Sequence, residues 1–240
     1  MAANPLAGVR LDDLTGVRRP ERTRGGRTLS ADAYEQTLVW LLEADPVTWL
    51  VSHKKGGWIW RPDTQVATSR AAVDQTLLQM TTGLRQTEAR RVEWPMARVS
   101  ADGILSIDVP AHVARGGHPR VVLVLDQRVA ERLLKRRDAQ DGAGYIVGTP
   151  TDPMKEWYRA SCVKAVQSLY ERMATSTKIK LFTTGRSHLW RTTLRSFYEG
   201  KVPEAVLNSQ FGHSTEVARL DDTDASDLSG LSDAAGLRET

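Results

Sequence analysis

Cysteine is nearly absent from this chain of 240 residues, since Cys162 is its only one. A single cysteine cannot form an intrachain disulfide, which favours an intracellular origin. Long apolar runs are absent as well, because none approaches the length of about 18 residues that marks a membrane-spanning helix. No charged-then-apolar leader opens the sequence. These absences predict a cytoplasmic protein with no membrane segment, in which Cys162 is a core residue of a helix.

Charge is present in excess on one part of the chain. Hydrophobic residues make up 40% of the sequence, enough for an ordinary buried core, and the formal net charge is +4. Residues 1–212 carry 31 Lys and Arg against 22 Asp and Glu, whereas residues 213–240 carry 2 against 7. A basic body suits a polyanionic partner, because each neutralised phosphate releases condensed counterions. Many basic proteins bind no nucleic acid, so charge alone does not decide the function.

Composition divides the chain into three segments. Residues 1–28 contain prolines, glycines and five clustered arginines with little apolar periodicity, which predicts a basic linker or arm. This arm is either a solvated tail or a basic strap along a DNA backbone. Residues 223–240 are rich in Ser, Asp and Gly and are predicted to form an acidic, partly flexible C-terminal tail. Residues 29–222 hold the periodic patterns of a folded domain.

The periodicity of residues 29–222 predicts an α+β fold that is mainly helical. Ser30 and Asp32 supply capping side chains for a first helix. Turn-rich sequences separate three short segments of period two, which favours a small antiparallel sheet. Later helices are predicted at 68–80, 128–137, 155–173, 188–198 and 203–210, and the strands at 93–99, 104–109 and 120–125.

Three short motifs distribute arginine and histidine along this domain. Thr82–Glu88 contains Arg85 and precedes the predicted sheet, and His188-Leu189-Trp190-Arg191 follows about a hundred residues later. On a helix His188 and Arg191 share one face and can converge on one anion. Guanidinium groups bind two phosphate oxygens at once and stay charged. His213, in the third motif Phe211-Gly212-His213-Ser214, is suited to donate a hydrogen bond or move a proton.

Each motif also has a simpler interpretation on its own. Arg85 and Glu88 have the spacing of a surface ion pair, His-x-x-Arg occurs by chance in helices, and Gly212-His213 is typical of a turn. Their order favours a common site instead, because a small sheet follows the first motif and a helix carries the second.

This ordered set resembles the tyrosine recombinase (phage integrase) family over residues 28–222. The resemblance implies the catalytic-domain fold of that family, mostly helical with a small three-stranded antiparallel sheet beside the active site. It implies a role in site-specific DNA recombination and integration, with double-stranded DNA as partner and possible association with copies of the chain or related recombinase subunits. Residues 4–10 look like the segment that leaves the family's N-terminal core-binding domain. The residues carried over by motif are Arg85, its acidic buttress Glu88, the pair His188 and Arg191, and the second histidine His213.

Two positions depart from the family's pattern. The family's Lys-Gly-x-Lys-x-Arg hairpin corresponds to Arg115–Arg120, which places Arg115 at the position of the catalytic lysine. An arginine holds a phosphate or a base edge well but is a poor proton donor to a leaving alkoxide. Asp222 stands nine residues after His213, where the family has its nucleophilic tyrosine, and no tyrosine follows Tyr198. The resemblance thus predicts DNA contacts without a nucleophile, the contacts being Arg85, Arg115, Arg120 and Arg191.

Three functions remain open on this evidence. The first is a cleavage-deficient DNA-binding protein, a pseudoenzyme that is a degenerate copy, a regulator of a mobile element or an inactivated form, associated with the nucleoid. In that case Asp221 or Asp222 either pairs with the arginines and fills the phosphate site or belongs to a solvated tail. The second is an active recombinase whose nucleophile is Tyr198 or comes from another subunit. The third is a protein-interaction module that binds no DNA.

Other kinds of site have little support in the sequence. His112 and His118 lie six residues apart in a hairpin region that has no neighbouring cysteine, so a zinc site is not predicted. The chain lacks a glycine-rich Walker pattern, so no nucleotide is required. We therefore expect neither a metal nor another cofactor.

Overall fold

The computed structural model of the protein describes residues 28–50, 62–184, 188–212 and 228–237. Over these ranges the chain is mainly helical, with one small sheet inserted between the early and late helices. The helices are α1 Ala31–Leu42, α2 Pro62–Thr82, α3 Gln86–Ala89, α4 Gln127–Asp138, α5 Arg159–Thr177, α6 Leu181–Thr184, α7 His188–Tyr198, α8 Glu204–Phe211 and α9 Ser229–Ala234, and the strands are β1 Ala97–Val99, β2 Leu105–Val109 and β3 Arg120–Leu123.

Side-chain caps explain where several helices begin. The Ser30 hydroxyl accepts a hydrogen bond from the N–H of Ala33 at 3.2 Å, as the sequence predicts for α1. Asp126 caps α4 in the same way, accepting from the N–H of Val129 at 3.1 Å. Helix α5 begins later than predicted, at Arg159, because residues 149–155 are closed into a turn in which the N–H of Thr149 donates to the Lys155 carbonyl at 2.9 Å.

The three strands form an antiparallel sheet in the order β1-β2-β3, with Ile107 opposite both Ala97 and Val122. Alternate residues of β2 are buried against the helices, as expected for a strand with one face on the core. The first strand is shorter than the predicted 93–99. Trp94–Met96 forms a 3-10 turn instead, since Pro95 has no N–H to donate to a neighbouring strand.

Helix α2 is the central element of the fold, and its second half is buried against α5 and α7. It extends beyond the predicted 68–80 at both ends, because its polar first turns carry little apolar periodicity. Within the described residues the core has two parts. The larger surrounds α2, and the smaller one joins β3, α7 and α8.

Part of the predicted flexible tail belongs to this smaller core. Helix α9 lies within it, and Leu228, Leu231 and Leu237 are buried there. Leucines spaced through a Ser- and Asp-rich sequence are the signal for this packing.

No helix in the described ranges is both long and apolar enough to cross a membrane. Residues 1–27 of the predicted arm lie outside the described residues.

Candidate phosphate-binding site

The carboxylate of Glu88 is the acidic centre of the site and is fully buried, with 0% exposure. Its oxygens accept hydrogen bonds from the backbone N–H of Arg85 at 2.9 Å and from the Arg85 guanidinium at 3.3 Å. They also accept from the backbone N–H of Arg115 at 3.0 Å and from both terminal nitrogens of Arg120, at 3.3 and 2.9 Å. Arg85 and Glu88 are therefore part of a buried network and not an isolated surface ion pair.

The charge of Glu88 is fixed by these partners. Burial alone would raise the pKa of its carboxyl, but hydrogen bonds and charge from Arg120, together with the N–H groups of Arg85 and Arg115, outweigh burial and hold the pKa below its usual value. Glu88 is therefore ionised at neutral pH. Its carboxylate forms ion pairs with two described arginines, Arg85 and Arg120.

Arg191, on α7, is buried, with only 5% of its surface exposed. Its Nη1 donates to the carbonyl of Gly83 at 3.1 Å, and its guanidinium lies over the ring of Phe211 at 5.9 Å. Among the described residues, Nε and Nη2 of Arg191 have no hydrogen-bond partner. Buried donors of a charged group are normally satisfied, so these two nitrogens are available to a bound anion.

The electrostatic environment of Arg191 also favours an anion. Burial, followed by repulsion from Arg85 and Arg120, lowers the pKa of Arg191 to about 9, and the attraction of Glu88 offsets only part of this effect. Among the described residues, Glu88 therefore compensates only part of the positive charge near Arg191. A phosphate oxygen placed between these arginines would lower their mutual repulsion.

His188 begins α7, one helical turn before Arg191. Partial burial, followed by the charges of Arg85, Arg191 and Arg115, lowers the pKa of His188. Screening limits such effects to charges within about 10 Å, so Arg85, Arg115 and Arg191 lie in the neighbourhood of His188. These four residues were selected from the sequence as site candidates.

Arg120 lies near Arg191 but differs in exposure from the other site arginines. Its side chain is 6% exposed, and both terminal nitrogens bind Glu88. A direct DNA contact by Arg120 stays a prediction, and its present contacts position Glu88. Arg115 is exposed on the loop between β2 and β3 and is anchored through its backbone N–H.

Phe211 and Gly212, the first two residues of the third motif, lie at the same site. Gly212 has a φ of +55°, and a Cβ placed there would lie 3.0 Å from Nε of Arg120. Phe211 packs against Gly83 and beneath Arg191. The sequence analysis did not predict the packing role of Phe211. The only sequence signal for this residue is its position directly before Gly212. His213, Asp221 and Asp222 lie outside the described residues.

Tyr198, the alternative nucleophile, is on α7 but packs against the smaller core. Burial, and secondarily the charge of Asp126, raises the pKa of Tyr198 to about 12. A phenol that resists ionisation and is partly enclosed is poorly prepared to attack a phosphorus atom.

No family model matches the chain, and no curated protein sequence matches it. Among solved structures, the chain is similar to the crystal structure of the XerH site-specific recombinase bound to difH substrate, a pre-cleavage complex, with a TM-score of 0.51 and 16% sequence identity. The match covers 90% of this chain and 55% of the XerH chain, so this chain spans little more than half of that protein's length. The similarity and the element order confirm the predicted fold class, the mainly helical recombinase fold with a three-stranded antiparallel sheet.

Proposed function

We propose that this protein binds double-stranded DNA through a phosphate pocket formed by Arg85, His188 and Arg191, and that it does not cleave the strand it holds. The observation that carries the proposal is the buried Arg191, whose Nε and Nη2 have no partner among the described residues while other cations surround it. Arg115 is assigned to the edge of this pocket, and His213, the second histidine of the motif, is proposed as a further hydrogen-bond donor to the phosphate.

Phosphate fits the pocket better than a carboxylate-bearing protein segment for two reasons. A phosphodiester offers two non-bridging oxygens, which match guanidinium donors arriving from two directions. Repeated phosphates also match the broader basic excess of residues 1–212. The similarity to XerH supports this assignment, because that recombinase was crystallised with a DNA substrate.

Loss of cleavage follows from the chemistry of the two departing positions. Asp222 would form a hydrolysable acyl phosphate in place of a phosphotyrosine, and Arg115 is a weak proton donor. Tyr198 lies on α7, the helix that carries Arg191, and its raised pKa of about 12 argues against it as a substitute nucleophile. The chain therefore keeps the electrostatic part of the reaction and lacks the covalent part.

DNA binding is tested by fluorescence anisotropy with a duplex that the protein selects from a random library, at several salt concentrations. Arg191→Gln should weaken binding by about tenfold or more, since it removes charge-assisted hydrogen bonds. It should also reduce the salt slope by about 1. Arg85→Gln, whose side chain is 18% exposed, provides a second variant if Arg191→Gln folds poorly.

Arg137→Gln is the matched control, because it removes the same charge from an exposed arginine of α4 that pairs with Asp138. Equal affinities of wild type, Arg191→Gln and Arg85→Gln would reject the pocket. A protein-interaction module instead predicts no salt-dependent affinity for DNA in any of the four proteins.

Cleavage is tested separately with a nicked form of the selected duplex, which traps a covalent intermediate. The wild-type protein should give no protease-sensitive adduct, whereas an active tyrosine recombinase on its own nicked site should give one. An adduct with this chain, lost in Tyr198→Phe, would instead establish the alternative of an active recombinase.

A further inference from the structure

Gln210 is a polar side chain enclosed in the protein interior, one residue before the end of α8, with 0% exposure. Its Oε1 accepts a hydrogen bond from the N–H of Leu123 at 2.9 Å. Its Nε2 donates to the carbonyls of Leu123 and Thr82, both at 3.0 Å. The amide therefore uses its acceptor and both of its donor hydrogens on the backbones of β3 and α2.

These bonds connect two of the sequence motifs. Thr82 is the last residue of α2 and the first of the motif that carries Arg85. Gln210 directly precedes Phe211, the first residue of the third motif. Thr82 and Gln210 are 128 positions apart in the sequence. Their hydrogen bond fixes where the two motifs lie relative to each other, because moving either one would leave buried polar groups unpaired.

The residues that follow the two ends of this connection both contact Arg191. Gly83 follows Thr82, and its carbonyl accepts the hydrogen bond from Nη1 of Arg191 at 3.1 Å. Phe211 follows Gln210, and its ring lies 5.9 Å from the guanidinium of Arg191. A shift of the Gln210 amide would therefore displace both neighbours that fix the direction of Arg191.

We infer that Gln210 is a positioning residue of the phosphate pocket, which holds Arg191 in the orientation that presents Nε and Nη2 to a phosphate without touching the phosphate itself. The inference rests on the proposed function. Guanidinium donors are directional, so a small displacement of Arg191 costs hydrogen bonds to the phosphate. An apolar side chain at position 210 would remove this partner from the Thr82 carbonyl and from the N–H and carbonyl of Leu123.

The experiment measures the Kd of the selected duplex by anisotropy, at several salt concentrations, for wild type, Gln210→Leu and Gln210→Glu. It includes Gln210→Leu combined with Arg191→Gln, which shows whether the two residues act through the same contact. Gln140→Leu is the matched control, because Gln140 accepts a hydrogen bond from Nε1 of Trp94 at 2.8 Å and neither residue belongs to a motif. Urea unfolding identifies conditions under which every variant is folded.

We expect Gln210→Leu to weaken binding about fivefold and to lower the salt slope by about 1, since a misdirected Arg191 no longer neutralises its phosphate. In the Arg191→Gln background, Gln210→Leu should have little further effect, which a merely structural role would not produce. Gln210→Glu keeps the shape of the side chain and the hydrogen bond from Leu123, so it should retain part of the affinity that Gln210→Leu loses. Gln140→Leu should bind like the wild type.

The comparison with Gln210→Glu carries the test if Gln210→Leu does not fold. Equal affinities of the wild type and the Gln210 variants, while Arg191→Gln still weakens binding, would overturn the role of Gln210 and leave the phosphate pocket in place. Full additivity of Gln210→Leu and Arg191→Gln would overturn it as well, because the effect of Gln210 would then lie outside the contact of Arg191. If the wild type shows no salt-dependent DNA binding and Arg191→Gln changes nothing, the proposed function itself fails.

Discussion

Arg120 and Glu88 form a two-point ion pair in the protein interior, with Nη2 2.9 Å from Oε2 and Nη1 3.3 Å from Oε1. The pair joins the first residue of β3 to the short helix α3, so it ties the sheet to the turn that carries Arg85. Exposure of the two side chains is 6% and 0%. A pair so placed contributes chiefly to the geometry of the pocket, because desolvation offsets much of its attraction.

Removing one partner of this pair should be costly. We expect Glu88→Gln to lower the free energy of unfolding by about 3 kcal/mol, because it leaves Arg120 buried without a counter-charge. Urea unfolding followed by circular dichroism measures the change. Glu35→Gln is the control, since Glu35 forms a similar pair with Arg128 on the surface and should cost less than about 1 kcal/mol. Equal effects of the two substitutions would contradict a buried role for Glu88.

The pKa of Glu88 predicts a loss of stability in acid. Because the folded state holds this pKa below its unfolded value of about 4.3, Glu88 stabilises the fold above that pH, and the contribution disappears as the pH falls toward the folded value. Urea unfolding of wild type at pH 7, 5, 4 and 3 should show a steeper decline below about pH 4 than Glu88→Gln shows. Parallel declines would mean that other carboxyl groups govern acid unfolding.

Much of the fold could be predicted from local signals. The boundaries of α7 coincide with the predicted 188–198, because a helical apolar stripe begins directly after His188. The three strands could be predicted because turn residues separate segments in which apolar and polar residues alternate. Proline explains the main error in the sheet, since Pro95 converts the start of the predicted first strand into a 3-10 turn.

The candidate site was only partly predictable. Sequence order identifies Arg85, His188 and Arg191, but it cannot show that Glu88 also binds the backbone of Arg115, 27 positions later. That contact depends on how the sheet folds back onto α3. The packing of Phe211 against Gly83 spans a still longer separation and has no local signature.

A buried polar side chain in α2 offers a stabilising substitution. Gln75 is 0% exposed, and neither polar atom of its amide has a partner among the described residues. Gln75→Leu should therefore raise the free energy of unfolding by about 1 kcal/mol, because an unsatisfied buried amide is replaced by an apolar group of similar size. Gln79→Leu is the control. Gln79 donates to the Leu84 carbonyl at 3.4 Å, and losing that bond should cancel the gain.

Chemical denaturation of both glutamine variants in parallel measures the difference. A destabilised Gln75→Leu with a stable Gln79→Leu would show that the Gln75 amide is satisfied after all.

Gly83 links the packing of the fold to the pocket. Its φ is +69°, a Cβ placed there would lie 2.5 Å from the Phe211 ring, and its carbonyl accepts the hydrogen bond from Arg191. Gly83→Ala combines backbone strain with a steric clash, so we expect it to lower the free energy of unfolding by roughly 3 kcal/mol. The displaced Phe211 and Arg191 should also weaken binding to the selected duplex severalfold.

Gly103→Ala separates the two causes. Gly103 has a similar φ of +76°, and a Cβ there would meet nothing within 4 Å, so this variant carries the backbone strain alone. It should cost about 1 kcal/mol and leave DNA affinity unchanged. Thermal unfolding and anisotropy of the two variants measure both effects. If Gly83→Ala and Gly103→Ala proved equally stable and bound DNA equally well, then contact with Phe211 would not govern the position of Arg191.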